Sequence, residues 1–536
     1  MQTFPLGWFA ASLLIAVVVA FLVRQRGWSM ALPLLGVGAV VGYLPIGPSA
    51  PPEPELVMAL ILAPLVFGEG LGSSYLDLRR VQRPVLWLAI GLVIATTAVV
   101  GLVIGFTSPV PWALAFALGA ILAPTDAVAV GAVARKSNLP HRLVSILEGE
   151  SLVNDGTGLT VLKVATAAAV MGSLTLLGVT EVLATSVLGG LAVGLAGGWL
   201  LSRIIRWSRD TVAANALVLI APFGLYALAE QVHGSGILAV VVAALLTAHS
   251  SASDVRLTGR VQTASVWRQV TFILQALAFF LVGMEIVGTA RDLDWPEFWL
   301  ACALVPICVI AMIVTRMIFV SIMVWVGRRR SNIKDVEDSA QSGRLAILLG
   351  WSGARGPVSG LAAVSLPLVV DGGAPLPYRE VIIATAFGVI AVTMLLAQTM
   401  GPLARLLRVT DRNQAELIGS VDTSLAYAAL QRLSQAEEQA GDEGAPIPRS
   451  VVSTLRQQYE DRIESQGRGS NAQPTAQAQL ELQRSLVRAE QEELLRLRDA
   501  EGLPDAVFRP IQHALDLRLQ SLREVSQMRN QGTEGG

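Results

Sequence analysis

This sequence is short of charge. Asp, Glu, Lys and Arg make up only 15% of its 536 residues, against about 25% in an ordinary soluble chain. That shortage excludes a soluble enzyme and an intrinsically disordered protein. Cysteine is nearly missing: Cys302 and Cys308 share one apolar run. Six residues apart on a helix they point to different faces, so a disulfide framework is excluded. No His/Cys cluster offers a zinc site. Lysine occurs only at Lys136, Lys163 and Lys334 while arginine is abundant, a usage associated with GC-rich bacterial genomes. The formal net charge is −1, unevenly spread: residues 1–412 carry 27 basic and 22 acidic groups, residues 413–536 carry 13 and 19. The polar, acidic tail does not suit a nucleic-acid binder.

What the chain has in excess is apolar surface, 53% hydrophobic residues and a mean hydropathy of +0.57. A helix needs about 20 apolar residues to cross a ~30 Å hydrocarbon core. Thirteen stretches qualify: 5–23, 29–45, 55–74, 84–106, 110–134, 142–171, 177–202, 211–231, 234–250, 267–288, 295–327, 345–371 and 379–407. The expected class is an all-α polytopic membrane protein, with a membrane domain over 1–410 and a soluble helical tail over 411–536. No basic segment precedes the first run, so a cleavable signal peptide is not expected. With the N-terminus outside, the inner loops hold 19 Arg and Lys residues, from Arg24 and Arg26 to Arg344, and the outer loops hold only Arg291 and Arg379. That bias orients the protein and puts the tail in the cytoplasm. The tail reads as helices broken at Gly441–Pro448, Gly467–Pro474 and Gly502–Pro504.

Two spans are interrupted. The fifth reads Leu122-Ala123-Pro124-Thr125-Asp126, and the twelfth Gly350-Trp351-Ser352-Gly353-Ala354-Arg355-Gly356-Pro357. Proline removes a backbone donor and clashes one turn back, and broken backbone at membrane depth survives only inside protein or along a cavity. Seven spans apart, the two run in opposite directions, the pattern of an inverted-repeat transporter. A faint echo links Leu65-Val66-Phe67-Gly68-Glu69 to Leu281-Val282-Gly283-Met284-Glu285, also seven spans apart.

An ionisable group at the centre of a membrane helix costs about 2.5–3.5 kcal/mol on insertion scales, so such groups face the bundle interior or are paired. The sixth span holds the densest set, Glu148-Gly149-Glu150-Ser151-Leu152-Val153-Asn154-Asp155. Ser151 and Asp155 share one helical face, and Glu150 and Asn154 another. A carboxylate, a hydroxyl and broken backbone nearby supply hard oxygen ligands for an alkali cation. Burial favours the protonated form of a carboxyl, so protons and cations compete there. A site that takes either one, and reorients only when loaded, is an exchanger.

This stretch resembles the Glu-Ser-Leu-x-Asn-Asp signature of sodium/proton antiporters of the NhaP/NHE type, in the monovalent cation:proton antiporter superfamily. Ala123-Pro124-Thr125-Asp126 and Gly350-Trp351-x-Gly-x-Arg355-Gly356 resemble two further signatures, and the likeness covers roughly 5–410. The segment Leu494–Asp499 weakly resembles the tails of bacterial members. The resemblance implies a transporter rather than an enzyme, a homodimer in a bacterial inner membrane, and exchange of Na+ or Li+ for H+, with K+ as the nearest rival and no cofactor. Asp155 would be the cation and proton carboxylate. Ser151 and the Thr125 backbone carbonyl would be further ligands, with Asn154 supporting them. Members with Asn-Asp here are generally electroneutral. Glu150 and Arg355 resemble the family's buried ion pair. Glu69 matches an acidic residue near the cytoplasmic funnel, as a ligand or a pairing residue.

Other residues stay open. Asp126 would offset the positive end of the half-helix it begins. Glu148 lies toward the inner mouth, attracting cations or solvated. Lys163 would snorkel or pair with Glu181, or gate. Arg316 has no assignable partner, Glu285 sits near the outer end of span ten, and His141, His233, His249 and His513 are at span ends or in the tail. A sodium-coupled solute symporter, a membrane sensor and a channel are the rivals from other classes. The small residues around the crossing, the missing output motif in the tail and the mid-membrane carboxylate speak against each in turn.

Overall fold

A computed structural model describes residues 6–44, 54–126, 141–171, 176–252, 257–330, 336–407 (less 27, 74 and 209) and 409. In the tail it describes 426–437, 449–467, 483–494 and 511–522, apart from short gaps. Contacts divide the chain into two compact units, Met1–Val409 and Thr410–Gly536. Among the described residues everything regular is helical, beside one isolated antiparallel bridge between Val369 and Pro375.

Helix is present in every one of the thirteen expected stretches. In order, α1 is Leu6–Gln25 and α2 is Ala31–Tyr43. The third, α3, is built from Pro54–Val57, a π-turn at Met58–Leu62 and Ala63–Gly72, and a short α4 follows at Tyr75–Arg80. Then come α5 over Gln82–Thr107, α6 Trp112–Leu122, α7 His141–Met171, α8 Leu176–Trp207, α9 Thr211–Gln231 and α10 Gly236–Ala252. The series continues with α11 Leu257–Asp292, α12 Trp295–Arg330, α13 Val336–Trp351, α14 Pro357–Val364, α15 Arg379–Gln398 and α16 Met400–Leu406. Seven described segments are long and apolar enough to span a membrane by themselves, within α1, α5, α8, α9, α11, α12 and the α15–α16 run. The others are shorter or interrupted, except α7, a continuous helix of 31 residues made more polar by Glu148, Glu150, Asp155 and Lys163. In α3 the cause is visible. Pro64 has no N–H to donate to the Leu60 carbonyl and its ring crowds that oxygen, and the wide π-turn ending at Leu62 takes up the misfit.

Many helices carry apolar side chains on the face turned away from the bundle. Leu14, Phe21, Ile94, Leu188, Ile220, Ile310, Ile318 and Leu395 are all exposed, the pattern expected where lipid is the solvent. Tryptophans gather at helix ends, as at a membrane–water boundary: Trp28 before α2, Trp207 closing α8, and Trp295 and Trp299 opening α12 are exposed. Inside, small residues let backbones touch. A Cβ at Gly38 of α2 would fall 2.2 Å from the Phe280 carbonyl oxygen, and one at Gly283 of α11 would fall 2.3 Å from that of Leu35. The α2–α11 contact depends on having no side chain at either point.

The tail unit contains α17, Arg449–Gly467, and a small apolar cluster of Val487, Leu494 and Leu515 with Leu519 and Leu522 against it. The expected breaks at 441–448, 467–474 (apart from Gly467, the last residue of α17) and 502–504, and most of Leu494–Asp499, lie outside the described residues, as does His513.

Candidate cation site

The site forms where the two expected breaks meet. The first is the stretch Ala123–Asp126 after α6, and the second is Ser352–Gly356 between α13 and α14. The Asp126 N–H donates to the Ala354 carbonyl at 2.8 Å, tying one break to the other. Helix α7 lies against the first break because Gly158 leaves room: a Cβ there would come 2.4 Å from Pro124 Cγ.

Each interrupted helix ends with carbonyls that lack an intrahelical donor, and arginines supply it. Arg355 Nε donates to Leu122 O at the end of α6 at 2.7 Å, and its Nη1 to Gly353 O. Arg316 Nε donates to Leu349 O at the end of α13 at 2.8 Å. Arg379 donates to Val364 O at 3.1 Å and Leu366 O at 3.0 Å, closing α14. A guanidinium suits this place, since its charge also meets the negative end of the helix dipole.

This arrangement corrects the expected ion pair. Glu150 is paired with Arg316, not with Arg355. Arg316 Nη1 and Nη2 grip the two carboxylate oxygens, the second at 2.8 Å, and both side chains are almost fully buried. Arg355 is committed to the carbonyls of Leu122 and Gly353, which leaves Arg316 of α12 as the cation with free donors on the Glu150 face of α7. The network continues. Thr125 Oγ1 donates to Glu150 Oε1 at 3.0 Å, and Asn154 Nδ2 donates to Thr125 Oγ1 at 2.9 Å. Asn154 is thus tied to the first break through the Thr125 hydroxyl. Arg316 Nη2 also reaches Ser352 Oγ at 3.3 Å.

One helical step away, Ser151 and Asp155 face a small cavity, with Thr125, Asp126 and Glu69 on its other walls. Asp155 is buried and makes no ion pair among the described residues. Five of the residues singled out in the sequence therefore come together. The Asp126 carboxylate sits against Gly356, directly ahead of α14, where a Cβ would meet its Oδ2 at 2.7 Å. That places a negative charge at the positive end of α14; the half-helix expected to begin at Asp126 itself lies outside the described residues.

Two cavity residues escaped the sequence reading. Gln275 of α11 donates to Glu69 Oε1 at 3.5 Å, and Ser359 of α14 also lines the cavity. Gln275 could have been noticed as the one polar residue in Phe272–Val282. Lys163 pairs with Glu230 at 2.8 Å and not with Glu181, and it also donates to Gly234 O at 3.1 Å. Thr160, three residues earlier and on the same face, meets Ser235 of that junction at 3.2 Å, so the face is turned to the α9–α10 connection and away from the exposed Glu181. Glu148 is exposed, Glu285 is half-buried and does not line the cavity, and His249 is exposed on α10. His233 follows the end of α9 with a left-handed φ of 57°. The side chain of His141 lies outside the described residues.

A family profile described as "Sodium/hydrogen exchanger, transmembrane" matches residues 11–404. The sodium, potassium, lithium and rubidium/H(+) antiporter of Bacillus pumilus is 31% identical over 438 residues, which is 79% of this chain and 61% of that protein, so the match spans less than two thirds of the relative's length. The Na(+)/H(+) antiporter NhaP of Pseudomonas aeruginosa is 30% identical over 66% of this chain and 81% of its own. The sodium proton antiporter MjNhaP1 of Methanocaldococcus jannaschii shares the fold, with a TM-score of 0.59 and 19% identity over 75% of this chain and 98% of that one. Interrupted helices that meet, a cavity beside them that holds carboxyl and hydroxyl groups, and these matches agree: the chain belongs to the sodium/hydrogen exchanger family, monovalent cation/proton antiporters of the NhaP type.

Proposed function

We propose that this protein exchanges Na+ or Li+ for H+ across a bacterial inner membrane, electroneutrally, by alternating access around Asp155. The observation that carries the reading is the cavity at the crossing of the two breaks, where Asp155 stands with Ser151, Thr125 and Glu69. Glu150 is excluded from ion exchange by its bidentate partner Arg316. Glu69 is held by Gln275, and Asp126 serves the start of α14. Asp155 is therefore the carboxylate assigned to carry one proton or one cation at a time, with Ser151 and the Thr125 carbonyl as neutral oxygen ligands and Glu69 as a further one, direct or through water. One proton against one monovalent cation moves no net charge.

Potassium exchange on the same scaffold is the second reading, favoured by the four cations in the name of the Bacillus pumilus relative. The arginine bias of the loops supports an outer N-terminus and a cytoplasmic tail. The homodimer is carried over from the family resemblance. The protein acts as a transporter and not as an enzyme.

Reconstituted protein with a pH-sensitive dye trapped in the vesicles tests the reading. Under clamped voltage, a Na+ or Li+ gradient is expected to drive proton flux in the wild type and none in Asp155→Asn. A larger flux with K+ would select the second reading. No flux with any cation from folded protein would overturn antiport.

A further inference from the structure

Ser359 belongs to no motif in the sequence. It lies in the first turn of α14, 1% exposed, and lines the cavity that holds Asp155 and Ser151. Its Oγ is buried without a hydrogen-bond partner. Ser12, Thr97, Ser186 and Ser202 also carry such hydroxyls among the described residues, but none of them lines this cavity.

At Ser359 the break removes the usual local acceptor. Several buried helical hydroxyls of this chain donate to the carbonyl four residues back: Thr160 to Gly156 at 2.7 Å, Thr247 to Ala243 at 2.8 Å, Thr385 to Val381 at 2.7 Å. Four residues before Ser359 stands Arg355, which precedes the helix. Gly356 between them is extended, with φ −109° and ψ −169°, so no helical carbonyl lies beneath the side chain. Buried hydroxyls are normally paired. One left open in a cavity it shares with Asp155, Ser151, Thr125 and Glu69 is arranged for something that enters that cavity. Its oxygen is a neutral, hard donor, the kind an alkali cation or its last water accepts.

We propose that Ser359 is a cation-binding residue, acting directly or through one water, and that it sets the affinity of the cavity for the monovalent cation. Asp155 and Ser151 come from α7, Thr125 from the first break and Glu69 from α3. Ser359 brings the second interrupted helix into the same coordination sphere, so that both breaks close on the ion. The inference rests on the reading of the cavity given above.

Full-length wild type, Ser359→Ala and Ser359→Thr, reconstituted as above, test it through the apparent KM for Na+ and Li+ and through the rise in Tm that each cation gives in detergent. Ser359→Ala is expected to raise the apparent KM about five- to tenfold, the loss of one good oxygen contact. The rate at saturating cation should stay within about twofold of wild type, and the cation-induced rise in Tm should shrink. Ser359→Thr, which keeps the hydroxyl, should stay near wild type. Should the alanine variant not fold, Ser359→Cys replaces the hard oxygen at similar volume and carries the same expectation. An exchanging wild type beside an alanine variant of unchanged KM and unchanged Tm response overturns the inference alone. So does equal slowing by Ala and Thr at constant KM, which is a packing effect. A wild type without cation-driven flux overturns the reading of the cavity, and this inference with it.

Discussion

Two stripes on α7, one residue out of step, have opposite fates. Glu150 and Asn154 enter a closed network: Asn154 donates to Thr125, Thr125 to Glu150, and Arg316 grips Glu150 at both oxygens while reaching Leu349 O and Ser352. Ser151 and Asp155 face a cavity, and Asp155 makes no ion pair among the described residues. Both carboxylates are buried to within 3%, so burial does not separate them; the partner does. A carboxylate held by a bidentate guanidinium is fixed in place. One that faces a cavity with no cation of the protein paired to it can trade a proton for a cation. The chain places the fixed charge at the seam of four segments, α7, α12, α13 and the first break, and leaves its neighbour on the next stripe available.

Substitution of each stripe sharpens this contrast. The largest effect is expected from Asp155→Asn, which should abolish cation-driven proton flux in dye-loaded vesicles while the protein remains folded. Next is Arg316→Ala, which strands Glu150 at membrane depth. A loss of about 3–5 kcal/mol is typical for a buried pair broken on one side, read as a large drop in Tm, and the double change Glu150→Met with Arg316→Met should recover much of it. A shift in pH acts on the Asp155 stripe. Cation and proton compete for one carboxylate, and only the deprotonated form binds the cation. The apparent KM for Na+ should therefore fall as pH rises, by up to about tenfold per unit while the proton form dominates, then level off. Thr125→Val cuts both bonds of the bridge between Asn154 and Glu150 and leaves the buried Asn154 amide unmet but keeps the Arg316 pair, so about 1–3 kcal/mol of stability should be lost, measured by thermal unfolding in detergent. The smallest effect belongs to Lys163→Gln. Its pair with Glu230 is more than a third exposed on both sides, and such pairs contribute about 0–1 kcal/mol.

The helices were legible because lipid imposes a simple rule of apolar length, and the two breaks because Pro124 and the glycines around Arg355 violate it. The α7 stripes were legible too, since a four-residue spacing fixes which side chains share a face. The partner of Glu150 was not. Arg316 and Arg355 are both buried cations of neighbouring spans, and nothing in their spacing tells which one is taken up by helix-end carbonyls. Arg355 follows α13 so closely that it turns back on Gly353 O and across to Leu122 O, which leaves Glu150 to Arg316. Gln275 and Ser359 were hidden for another reason: a single amide or hydroxyl in an apolar run looks like any tolerated polar residue until the fold shows which cavity it faces.

One measurement tests the central contrast most directly: the Tm of purified protein with and without saturating Na+ or Li+, for wild type, Asp155→Asn and Arg316→Ala side by side. A ligand that binds only the folded state raises Tm. Asp155→Asn should keep its basal Tm and lose the cation-induced rise, whereas Arg316→Ala should lose basal Tm and keep the rise. An Asp155→Asn protein still stabilised by the cation as strongly as wild type, or an Arg316→Ala protein with undiminished basal Tm, would contradict the division of labour between the two stripes.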